Sequence, residues 1–179
     1  MSKAFLLAKH TAHRFMPEQM KWMWGQGLYM YALALIGEAF GTDNFTGFIS
    51  RYYDAHVKRG YGIKSSDTAA PALGAYMLWR KTGCAAYKKI AEDAAEYMHT
   101  SPRILEHLPN HFGTGIYSKI YPKSIWIDSV MMYGVFAGRY SFEQNDEALS
   151  AFASVSFPFL TSICGTINMV CFIIAIGHL

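Results

Sequence analysis

The sequence predicts an all-α protein assembled from helical hairpins, and three observations carry that prediction. No segment alternates as a half-buried strand would. Helices that are apolar nearly all round alternate along the chain with amphipathic ones. The apolar helices begin near Met23, Thr68 and Ser124, so their starts are spaced by about 45 and then about 56 residues, the period of a repeated helix pair. Repeated hairpins stack with one layer inside and one outside. Their inner helices then run parallel, and the N-terminal ends of these helices share one rim. Three hairpins make an arc of a toroid rather than a closed ring, and an arc favours self-association.

The run Tyr29 to Ile36 is apolar on every side and sets a buried helix from about Met23 to Phe40. Gly41-Thr42-Asp43 stops it and starts the next, expected from Asp43 to Lys58, with Phe45, Phe48 and Tyr52 on one aromatic face. Arg59-Gly60-Tyr61-Gly62 breaks that helix. Ser65-Ser66-Asp67-Thr68 is a helix-start signature, and Pro71 is tolerated in the first turn of the apolar helix expected to reach Arg80. Lys81-Thr82-Gly83 ends it. From Ala85 to His99 the pattern is amphipathic, with Lys88, Lys89, Glu92, Asp93 and Glu96 on the wet side. Thr100 to Lys123 reads as a long loop rich in Pro, Gly, His and Asn, the kind that carries function. A third apolar helix is expected from Ser124 to Tyr140, and a short one from about Glu143.

The 179 residues, 52% hydrophobic and 16% aromatic, suffice for one folded domain with a core. A net charge of +3 without a Lys/Arg cluster argues against nucleic acid as a partner. Cys84, Cys164 and Cys171 lack zinc spacing and read as reduced thiols of a cytoplasmic protein. The apolar stretch at the N-terminus is too short for a signal peptide. After Glu147 there is no Asp, Glu, Lys or Arg, and Val155 to Ile176 is almost continuously apolar. That stretch matches the roughly 20 apolar residues that span a bilayer, yet it lacks the basic flanks that often mark a span. Three readings follow: a membrane anchor through residues 155–176, a helix buried in a larger domain, or the product of a shifted reading frame. The chain therefore divides into residues 1–150, the hairpin domain, and 151–179, an apolar tail.

The rim expected from the hairpins gathers Trp22, Trp24 and Gln26, then Ser66, Asp67 and Thr68, then Trp126 and Asp128. Aromatic rings beside carboxylates suit a sugar, whose apolar faces stack while its hydroxyls seek polar groups. Asp67, just before a helix, has a plain reading as its cap. Asp128 stands in the uncharged run Ile125 to Tyr133, where a carboxylate must be satisfied or used. A general acid there needs its pKa raised by apolar walls or by a second carboxylate, which Trp126, Met131 and Asp67 would supply. His107 and His111 are four apart, but Pro109 between them breaks a helical metal pair, which favours a loop role or plain exposure. Trp22 and Trp24 also read as core residues, and Arg14 and Arg103 as surface charges. No nucleophile elbow, phosphate loop or dinucleotide fingerprint occurs.

Several segments, in order, resemble the N-terminal half of glycoside hydrolase families 88 and 105, the unsaturated glucuronyl and rhamnogalacturonyl hydrolases. They are Trp22 to Tyr29, Ser65 to Pro71, Leu78 to Gly83, Ser101 to Arg103 and, most specifically, Tyr121 to Met132. The resemblance covers roughly residues 15–150 and implies about half of an (α/α)6 barrel. It implies an unsaturated uronyl oligosaccharide as substrate, as in pectin degradation, and hydration of the C4=C5 double bond. Matched by motif, Asp128 would be the acid/base and Asp67 the second carboxylate. Trp24, Gln26, Trp126 and Tyr121 would contact substrate, with Ser118 standing where the family often has a His. No metal or organic cofactor is implied. The length implies a truncated form. The rival expectation is a non-catalytic helical-hairpin protein held at a membrane by its tail. A further rival, a toroidal sugar epimerase, would want inner-helix histidines.

Overall fold

The computed structural model describes residues 2–104, 108–126 and 128–154, and over these the protein is mostly helical. Seven α-helices follow in order: α1 (Lys3–Ala12), α2 (Trp24–Ala39), α3 (Thr46–Arg59), α4 (Ser66–Ala69), α5 (Pro71–Thr82), α6 (Ala85–Thr100) and α7 (Val135–Gln144). Residues 147–154 are helical again. Here Asp146 caps the turn, its Oδ1 accepting from the Leu149 N–H at 3.0 Å.

The inner layer is α2, α5 and α7. Gly27 of α2 lies against the start of α5, where a Cβ would stand 2.5 Å from the Pro71 nitrogen. One turn on, Gly74 of α5 meets Met30 and Tyr31 of α2. The contacts advance in step, so the two helices run in the same direction. The α5–α7 contacts do likewise: Tyr76 packs on Phe136 and Tyr140, and Arg80 pairs with Glu143 at 3.0 Å. The start of α7 thereby falls on the same side as the starts of α2 and α5. This is the parallel inner layer that the hairpin spacing predicts.

The outer layer is amphipathic. In α3, Phe48, Ile49, Tyr52, Tyr53 and His56 are buried, and in α6 the buried side chains include Tyr87, Ile90, Ala91, Ala94 and Met98. Tyr53 Oη donates to the Pro71 carbonyl at 2.6 Å, tying α3 beneath the α2–α5 contact. Trp22 belongs to this packing: its indole stacks on Tyr52 with rings 4° apart, and its Nε1 donates to the Thr68 carbonyl at 2.9 Å.

Four expectations change. The helix expected from Ser124 begins later, because the backbone at Ser124 is committed to the loop before it. The Ser124 N–H donates to Asn110 Oδ1 at 3.0 Å, and its carbonyl accepts from the His111 N–H at 2.8 Å. Helical structure starts with a π-helical turn, Val130–Gly134, that runs into α7. The last short helix, expected from Glu143, starts at residue 147, since Asn145 turns left-handed with φ of 54° and ends α7. Third, α1 is present although the apolar pattern did not announce it, with Ser2 Oγ accepting from the Phe5 N–H. Finally, a two-residue hairpin, β1 (Arg103–Ile104) with β2 (Leu108–Pro109), interrupts the long loop. No helix among the described residues is long and apolar enough to cross a membrane, and the apolar tail from residue 155 lies outside the described residues.

Candidate active site

The site forms where α4, the loop 110–126 and the turn before Val130 meet. Ser65, not Asp67, caps α4: its Oγ accepts from the Thr68 N–H, and Thr68 Oγ1 accepts from the Ser65 N–H at 2.9 Å. That reciprocal pair is a capping box. The plain cap reading of Asp67 therefore fails, and its side chain, about a quarter exposed, is left free to face the loop.

The loop is pinned close to α4. Gly113 takes φ of 56°, and a Cβ there would overlap the Lys64 carbonyl oxygen and the Tyr97 hydroxyl, so only glycine fits. The Thr114 N–H donates to the Lys64 carbonyl at 2.7 Å, and the Ser66 N–H to the His111 carbonyl at 3.1 Å. These bonds bury His111, which is 3% exposed. Its Nδ1 lies 2.7 Å from Ser66 Oγ and 2.9 Å from Ser129 Oγ, and its Nε2 lies 3.9 Å from Asp67 Oδ1. The Trp126 ring stacks on the imidazole at 4.1 Å, nearly parallel, and is itself 47% exposed.

Asp128 is exposed in the turn ahead of the π-helical segment, where its carbonyl accepts from the Met132 N–H at 3.2 Å. It stands close enough to Asp67 for their charges to interact. Burial pushes the Asp67 carboxyl above its ordinary range, His111 opposes this, and Asp128 adds to it. Two carboxyl groups, an imidazole and an indole face share one small region, an arrangement able to deliver a proton to a ring stacked on Trp126 and to take one from water.

The other expected residues spread around this centre. Tyr121 is 52% exposed and stacks on Phe112, which in turn contacts both His111 and Trp126. Trp24, 48% exposed, opens α2, and Gln26 is half-buried in the same turn. Ser118 turns away: its hydroxyl donates to the Gly115 carbonyl at 2.6 Å, and it lines a cavity of about 300 Å³ with Arg103, Asn110, Thr114 and Lys123. Arg103 is half-buried, its guanidinium 4.8 Å from the Phe152 ring centre, rather than a plain surface charge. His107 lies outside the described residues, as does Ile127. Among the described residues no group of three or more His, Cys, Asp or Glu is placed to hold a metal ion.

Sequence reasoning missed His111, Ser66 and Ser129 as a unit. Plain exposure for His111 is overturned by its burial. Its partners lie 45 and 18 residues away, so no local pattern announces them.

Comparisons with known proteins converge on carbohydrate chemistry. The family model Glycosyl Hydrolase Family 88 matches residues 2–163. The chain is 26% identical over 119 residues to the unsaturated rhamnogalacturonyl hydrolase YesR of Bacillus subtilis (strain 168). That alignment covers 66% of this chain and 34% of the relative, so the chain spans about a third of that protein's length. No solved structure matches the chain.

Proposed function

The chain belongs to glycosyl hydrolase family 88, and from that premise we propose that it carries the acid/base face of a hydrolase for unsaturated uronyl oligosaccharides of the rhamnogalacturonyl type. One observation carries the reading: the fold brings Asp67 and Asp128, distant in sequence, into electrostatic contact beside the exposed face of Trp126. The similarity to a rhamnogalacturonyl hydrolase favours that substrate class over glucuronyl ones. In this reading residues 1–150 are part of an (α/α)6 barrel, with α2, α5 and α7 as its inner helices.

The reaction proceeds by hydration. Asp128, exposed beside Asp67, donates a proton to C4 of the unsaturated ring, and the positive charge that develops at C5 is shared with the ring oxygen. Water adds at C5 as the Asp128 carboxylate takes one of its protons. The resulting hemiketal opens, and the sugar formerly linked at C1 leaves. Asp67 keeps a second negative charge from building up beside Asp128, because burial favours its protonated form. Trp126 supplies the stacking face, and Tyr121 extends it. Trp24, Gln26 and Ser118 are assigned to more distant parts of the oligosaccharide.

The test follows the ultraviolet absorbance of the C4=C5 bond in an unsaturated rhamnogalacturonyl disaccharide. The purified protein is expected to remove it. Asp128→Asn is expected to lower the rate by about 10²–10⁴-fold, the usual worth of a positioned acid/base. Equal rates for the two proteins would overturn the assignment.

A further inference from the structure

We infer that His111 is a positioning residue that holds a proton in common with Asp67, and so fixes the charge Asp67 presents to Asp128 and to substrate. The inference rests on the reading of Asp67 and Asp128 as the working carboxylates, but it arises from the hydrogen bonding of the imidazole.

A buried histidine needs both ring nitrogens satisfied. At Nδ1 two hydroxyls compete, Ser66 Oγ at 2.7 Å and Ser129 Oγ at 2.9 Å. Ser66 has one hydroxyl proton, and its Oγ donates to the His111 carbonyl at 3.0 Å, an atom that can only accept. With that proton spent on the carbonyl, the short contact with Nδ1 is satisfied when Nδ1 carries hydrogen and Ser66 Oγ accepts it. In a neutral ring so arranged, Nε2 is a bare lone pair. That lone pair faces Asp67 Oδ1 at 3.9 Å. Against an ionised carboxylate it would be repelled, so one further proton belongs to the pair, on Nε2 or on the carboxyl group. In that arrangement the imidazole and the carboxyl group share that proton. A closure of about 1 Å would turn the contact into a hydrogen bond.

The surroundings leave little else to set that charge. From the loop, Phe112 and Trp126 cover the imidazole with uncharged rings, and the parallel Trp126 face favours a cationic ring. From α4 only Asp67 is titratable, and from the following turn Asp128. Tyr133, beyond Ser129, is held neutral by burial. Removing His111 therefore takes from Asp67 the one group that lowers its proton affinity, against burial and Asp128, which both raise it.

The experiment labels aspartate carboxyl carbons with ¹³C and follows Asp67 by NMR across pH in the wild type, His111→Phe and His111→Gln. Asp67→Asn identifies the signal. The Asp67 midpoint is expected to rise in His111→Phe, and by less in His111→Gln, which keeps an amide donor. In the hydration assay the alkaline limb of kcat is expected to move to higher pH with KM nearly unchanged, the mark of a group acting through another. An unmoved Asp67 midpoint in a folded variant overturns the inference. Should His111→Phe fail to fold, His111→Gln alone decides. If the wild type shows no hydration, the proposed function falls, while the titration still decides the role of His111.

Discussion

In the α2–α5–α6 block the buried side chains are aliphatic, small or phenolic, whereas the segments that build the site bury serine, asparagine and histidine. Five of the seven buried polar residues among the described ones, Ser66, Ser101, Asn110, His111 and Ser129, belong to α4, the loop or the turn that follows it. The block is held by contact: Leu73, Ile90, Ala94 and Met98 are fully buried, and glycines let α2 and α5 approach closely. The site is held by directional hydrogen bonds, such as the Ser66 N–H to the His111 carbonyl and the Ser124 N–H to Asn110 Oδ1. Apolar contact is non-directional and tolerates adjustment, while a buried polar group is costly as soon as a partner is lost. The scaffold supplies stability, and the site spends part of it on holding charged and polar groups in one geometry.

The largest expected effect tests the scaffold half of that contrast. Leu73 is fully buried in the first turn of α5, so Leu73→Ala leaves a cavity in the core. A loss of about 2–5 kcal/mol is expected, each kcal/mol lowering Tm by about 2–4 °C in a domain of this size. A thermal melt checks it. A loss below about 1 kcal/mol would mean the block is looser than its packing indicates.

Next in size comes the seam between the two regions. A methyl group at Gly27 would strike the backbone at Ala70 and Pro71, which cannot yield as a side-chain tip could. Gly27→Ala is expected to cost about 1–3 kcal/mol. Because α4 precedes Pro71 directly, the same change is expected to displace Asp67 and reduce hydration beyond what the stability loss alone explains. Stability lost with full specific activity retained would show that α4 is positioned by the loop and not by the α2–α5 seam.

The contrast also explains what could be read in advance. The spans of α2, α5 and α6 follow from apolar period and from stops at Gly41 and Gly83, because local pattern and burial agree there. The meeting of Asp67 with Asp128 was legible through the hairpin spacing. The apolar look of Ile125 and Trp126 misled, since Ser124 hydrogen-bonds across to Asn110 and His111 and thereby withholds the first turn from the helix. His111 was illegible for a related reason: its role depends on Ser66 and Ser129, residues whose local reading is only cap and turn. α1 carries end signals without a clear apolar period, with Ser2 at its start and Lys9 and His10 in its last turn.

The smallest expected effect is the sharpest, because its sign separates the two regions. Burial holds the Asp67 carboxyl above its ordinary range, with Asp128 adding to the rise and His111 opposing it. The folded protein therefore keeps the Asp67 proton to higher pH than the unfolded chain does. Between the two pKa values the folded state binds more protons, so stability falls as pH rises through that window. The contribution is fully present below the unfolded carboxylate value of about 3.9 and is lost above the folded one. Asp67→Asn removes the group that must ionise. Its Tm at neutral pH is expected to exceed that of the wild type, the gain shrinking as pH falls and vanishing below about pH 3.9. Hydration by the same variant is expected to drop, so one substitution raises stability and lowers function. A scaffold residue cannot behave that way, since removing a favourable contact lowers both. If Asp67→Asn melts lower than the wild type at neutral pH, Asp67 is held by its surroundings as a structural carboxylate, and the division between scaffold and site must be drawn on the other side of α4.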